Sequence, residues 1–117
     1  MFDVHVFLAV GSAKADNDAG CRTGARHSLL IFSRQQPGGE ADEALARKGA
    51  AFAGWTRVKL ERSRRLASST PPAEAILLAA FNDSLALGCS VLADRRELPS
   101  TARSPRVRDR RGKKRKA

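Results

Sequence analysis

The sequence predicts an α+β domain in which a small, mostly antiparallel sheet carries two helices on one face. Three observations lead there. Apolar residues alternate with period two near the N-terminus, two segments show helical apolar spacing, and glycine- or proline-rich punctuation separates them from short strand-like runs. At 117 residues, with 42% apolar and 29% charged side chains, the chain can bury one modest core and not two.

The first strand is the clearest element. Phe2, Val4, Val6, Leu8 and Val10 alternate with Asp3, His5, Phe7 and Ala9, as in a strand with one face in a core. Positions 11–26 hold Gly11, Gly20 and Gly24 and no apolar periodicity, which predicts a loop longer than a usual hairpin connection. Leu29, Leu30, Ile31 and Phe32 form a continuous apolar run, which predicts a second strand over 27–34. After the turn at Pro37, Gly38 and Gly39, the acids Glu40, Asp42 and Glu43 sit where a helix dipole favours them. Ala41, Ala44, Leu45, Ala51, Phe52 and Trp55 then supply the apolar spacing of a helix over 40–53, with Gly54 as its cap. Gly49 costs that helix about 1 kcal/mol relative to Ala, which marks a close backbone contact. Val58 and Leu60 against Arg57, Lys59 and Glu61 predict a third strand ending near Arg65. Thr70 as N-cap before Pro71 predicts a second helix over 71–87. Gly88 ends it, and Val91 favours a fourth strand over 89–93 rather than more helix.

The resulting order, ββαβαβ, resembles the ferredoxin-like class of split β-α-β folds in architecture alone, and a likeness at that level implies no function. Two regions are expected: an α+β domain over 1–98 and a basic tail over 99–117.

The charge divides unevenly between them. The formal net charge is +10, yet residues 1–102 hold 13 Lys and Arg against 11 Asp and Glu, while residues 103–117 hold nine against one. With so little apolar surface, the tail cannot offset its ordering entropy and is expected to be disordered. Within the domain, Arg57, Lys59, Arg62, Arg64 and Arg65 form a second basic cluster, interrupted only by Glu61 among the acids. The remainder of the domain is slightly acidic.

Catalytic chemistry finds little support. Cys21 and Cys89 belong to no metal-binding or redox pair. Cys21 with His5 or His27 and Asp16 or Asp18 could be arranged as a nucleophile, a base and an orienting acid, but nothing in their spacing demands it. Cys21 and Arg26 are separated by four residues, one short of a cysteine-phosphatase cradle, and no phosphate-loop or calcium-loop spacing is present. A non-enzymatic protein is expected, with no catalytic residue, metal, cofactor or small-molecule ligand indicated. The longest apolar run, 75–81, is far short of the roughly 20 residues a spanning helix needs. Asp3 and His5 also stand where a signal peptide would be basic or apolar. A cytoplasmic protein is expected, or a nuclear one in a eukaryotic host.

Binding is the better expectation. Arg103, Arg106, Arg108, Arg110, Arg111, Lys113, Lys114, Arg115 and Lys116 form an arm that would release counterions on lying along phosphates. With Arg57, Lys59, Arg62, Arg64 and Arg65 they make nucleic acid, DNA or RNA, the first candidate partner. The alternative is a protein-interaction module, a homodimer or an inhibitor of a larger complex. That module would use an open sheet face holding Phe7, Leu29 and Ile31, with Leu78 on an exposed side of the second helix.

Overall fold

The structure, a computed structural model, describes residues 2–99. Its elements are β1 (Asp3–Ala13), β2 (Arg26–Gln35), α1 (Glu43–Phe52), β3 (Trp55–Ala67), α2 (Ala75–Leu87) and β4 (Cys89–Ala93). The α+β class and the ββαβαβ order are those the sequence predicts, the fourth strand included. All four strands join in one antiparallel sheet of order β3-β1-β2-β4.

That order contains one split β-α-β unit. β2 and β3 both run antiparallel to β1, so they are parallel to each other, joined through α1 and separated by β1. No second unit forms, because β3 and β4 run antiparallel on opposite edges, and the ferredoxin-like order is not reproduced.

The expectation of two helices on one face is corrected. Ala46 and Ala50 of α1 pack with Phe7, Ala9, Leu29, Ile31 and Trp55. Ala80 and Phe81 of α2 pack with Val4 and Phe32. Neighbouring residues of a strand point to opposite faces, so Phe7 and Ile31 on one side and Val4 and Phe32 on the other place the helices on opposite sides of the sheet. Both faces of β1 and β2 are apolar, and each helix takes one.

The helices differ from their sequence-based bounds for local reasons. α1 starts at Glu43 because Asp42 is its N-cap, the carboxylate accepting from the Leu45 N–H at 3.0 Å. α2 starts at Ala75 rather than at Pro71, and Thr70 is not its cap. Pro72 disfavours helical backbone at Pro71, just as Pro71 does at Thr70, so consecutive prolines delay the first turn.

Two glycines are required by contact. A Cβ on Gly49 would overlap the Cys89 thiol and lie 3.1 Å from the Cys89 Cβ, so α1 can sit against β4 only without a side chain there. Gly54, at φ +99°, follows α1 and lies against the backbone of Asn17. Asn17 in turn organises the loop before β2. Its Nδ2 donates to the carbonyls of Lys14 and Cys21, each at 2.8 Å, and its Oδ1 accepts from the Cys21 N–H at 2.8 Å. The loop expected over 11–26 is therefore shorter, since β1 runs to Ala13 and β2 starts at Arg26, and it is tied to the end of α1 through Asp18 N–H and Ala53 O at 2.9 Å.

Candidate nucleic-acid interface

β3 is an edge strand of 13 residues, and its five cations, Arg57, Lys59, Arg62, Arg64 and Arg65, are all exposed. Register assigns each a side. Arg64 lies opposite Val6, Arg62 opposite Leu8 and Lys59 opposite Val10, and directly paired residues share a face. That face belongs to α2, which covers only part of it. Val6, Leu8, Val10 and Leu30 stay half-buried, and a groove of about 670 Å³ opens there between Arg62, Arg64 and the Pro71-Pro72 segment. Among the described residues, Lys59, Arg62 and Arg64 meet no carboxylate within ion-pairing distance.

The other two cations are placed differently. Arg65 lies opposite His5 on the α1 face, with its Nε 3.8 Å from Asp3. Arg57 stands at an irregularity in the pairing between Val10 and Ser12, with φ +53°. A non-glycine residue in that left-handed region costs roughly 1–2 kcal/mol. A second register shift falls between Leu8 and Ala9, where Glu61 is the extra residue. Such irregularities twist an edge and discourage another strand from adding to it.

The open apolar surface therefore exists, but on the opposite parity from the one the sequence suggests. Phe7 is 1% exposed, Leu29 1% and Ile31 0%, all beneath α1, so these residues form core rather than a docking face. Leu78 is half-buried on α2. The arm residues Arg103, Arg106, Arg108, Arg110, Arg111, Lys113, Lys114, Arg115 and Lys116 lie outside the described residues.

The cysteine and histidines are positioned by other contacts. Cys21 Sγ comes within 3.9 Å of His27 Nδ1, but that nitrogen also lies 2.6 Å from the Asp94 carbonyl oxygen. A carbonyl can only accept, so Nδ1 carries the proton and cannot take one from the thiol. The ring is buried edge-on to Trp55. His5 is buried on the same face. The Gln35 amide, in the orientation its surroundings require, donates to His5 Nδ1 at 2.9 Å and to the Glu40 carbonyl at 2.8 Å, and accepts from the Asp42 N–H at 2.8 Å. This ties β2 to the start of α1. Burial holds His5 below its ordinary pKa of 6.5, with Asp3 opposing and Arg65 adding to the shift. Among the described residues no three His, Cys, Asp or Glu side chains gather closely enough to hold a metal ion, and no helix is long and apolar enough to cross a membrane.

No protein-family model, curated protein or solved structure matches the chain.

Sequence reasoning missed one surface. Phe52, read as part of the buried stripe of α1, is 94% exposed, and Leu87 at the end of α2 is 78% exposed. The sheet face under α1 is already filled by Phe7, Leu29, Ile31 and Trp55, so only the small residues Ala46, Gly49 and Ala50 fit against it. The larger ones turn outward. The run of Ala and Gly at 46, 49, 50 and 53, which is also a helical stripe, was the available signal.

Proposed function

We propose that the chain is a non-enzymatic module that associates with nucleic acid, DNA or RNA, through the basic edge at β3 assisted by the arm over 103–117. The observation that carries this reading is the side of β3 bearing Lys59, Arg62 and Arg64. Three exposed cations without carboxylate partners among the described residues lie in a row on one face of a free edge, in a domain that is otherwise slightly acidic. Phosphate recognition needs cations that other carboxylates have not neutralised and a surface a backbone can follow. The groove beside them has an aliphatic floor rather than exposed aromatic rings, and its one aromatic lining residue, Phe32, is 1% exposed. That surface supports phosphate contacts and gives no basis for base stacking, so weak sequence preference follows.

Truncation after Ala102 tests the reading. Every buried residue named above precedes that point, so the circular dichroism spectrum of the domain should persist. Retention on DNA or RNA at low salt should fall sharply, and the salt dependence should flatten, each lost phosphate contact lowering the slope by about 0.9 on duplex DNA. A truncated chain that binds as tightly as the full one, with the same slope, would rule out the arm's part.

A further inference from the structure

We infer that the chain forms a two-fold dimer by pairing β4 of one copy with β4 of a second. The Asp94 N–H donates to Ser28 O and the Arg34 N–H to Gly88 O, each at 2.9 Å, so ladder bonds to β2 fall on alternate residues 88, 90, 92 and 94. The N–H and C=O groups of Cys89, Val91 and Ala93 consequently point away from the sheet. Among the described residues, nothing guards this edge. It contains no charged residue and no proline, and its pairing with β2 shows no bulge.

Exposed apolar side chains flank it on both sides. Phe52 projects from α1 on one face and Leu87 from α2 on the other, and both line a groove of about 780 Å³ that wraps β4. In an antiparallel pairing centred on Val91, that residue meets its own copy and Cys89 meets Ala93 of the partner copy, which satisfies all three outward pairs of backbone groups. The two-fold axis then stands perpendicular to the sheet, so α1 meets α1 and α2 meets α2. Phe52 would border the seam on the α1 face, and Leu87, which this register sets against position 95 of the second copy, would border it on the α2 face.

Charge favours a second copy over an unrelated occupant. The α1 side of the groove holds Lys48 with Asp18, and the α2 side holds Asp83 with Arg34. Each side thus carries one charge of either sign, which lets it face its own copy without net like-charge repulsion, as an isologous contact does. The opposite edge could not pair in this way, because two copies of β3 would bring their five cations together. Pairing through β4 yields a continuous eight-stranded sheet with both basic edges outermost.

Size separation with light scattering on the full chain, in high salt after nuclease treatment, tests this without reference to nucleic-acid binding. The expected mass is twice the 12.6 kDa of one chain. Phe52→Glu combined with Leu87→Glu changes only exposed side chains, so the circular dichroism spectrum should hold while dimer dissociation strengthens at least about tenfold. Val91→Pro, which removes the central outward N–H and no bond to β2, should act in the same direction. A wild-type chain that runs at single mass across concentrations overturns the inference, as does a dimer unaffected by the Phe52 and Leu87 changes.

Discussion

The sheet edge at β3 runs for 13 residues and carries five cations and two register breaks, whereas the edge at β4 runs for five and carries no charge. Both expose a row of backbone groups, the feature that makes any edge strand prone to pairing. The long edge is protected by charge and irregularity. The short edge has neither protection and is bordered by exposed Phe52 and Leu87. The contrast teaches that the two edges are built differently, and under the two proposals above a polyanion suits β3 and a second uncharged strand suits β4. Under that division the charge on β3 also directs self-association to the other side of the molecule.

Three changes sharpen or break this division. The largest effect on folding is expected from Gly49→Ala, because α1 approaches the β4 edge through that glycine. Helix propensity alone would favour Ala by about 1 kcal/mol. Overpacking against Cys89 should reverse the sign and cost about 1–3 kcal/mol, read from the urea midpoint. Adding Cys89→Ala should restore most of the loss, and a stabilised single variant would mean that the contact is looser than described. Burial raises the Cys89 thiol above its ordinary pKa, so alkylation at neutral pH should also be slow in the parent chain.

A smaller effect on folding and a clear one on binding are expected at the other edge. Replacing Lys59, Arg62 and Arg64 together by Gln touches only exposed side chains, so stability should stay within about 0.5 kcal/mol. The salt slope for duplex DNA, measured by fluorescence anisotropy, should fall by about 3 if all three contact phosphate. An unchanged slope would leave the arm as the sole contact.

The mildest effect concerns pH. His5, opposite Arg65 of β3, has a folded-state pKa below its ordinary 6.5, so below that pH the unfolded chain binds more protons than the folded one. Stability should be undiminished above about pH 6.5 and decline as the pH falls toward the folded value. Denaturation midpoints of the parent chain and of His5→Asn across this range check it. The variant should lose that part of the dependence.

Much of the architecture was legible from local signals. Alternation marked β1, the apolar run marked β2, Gly54 and Gly88 marked the helix ends, and the unusual glycine at 49 marked a close contact that proved to be with Cys89. Of the candidate site, the basic cluster was legible because charge is a property of sequence, and its exposure on β3 follows from the cost of burying charged groups. What local signals left open was which face each residue meets. In β1 both parities are apolar: Val4, Val6, Leu8 and Val10 on one, Phe7 and Ala9 on the other.

Composition, periodicity and turn chemistry by themselves determined the class, the number and order of elements, and the clustering of positive charge. These depend on neighbours within a few residues along the chain. Only tertiary packing decided that the helices lie on opposite faces, that Phe7, Leu29 and Ile31 are core, and that Phe52 and Leu87 face outward beside β4. The physical reason is volume. Large side chains from β1, β2 and β3 fill the space beneath α1, so the helix can approach only through Ala46, Gly49 and Ala50, and its largest apolar residue is left outside.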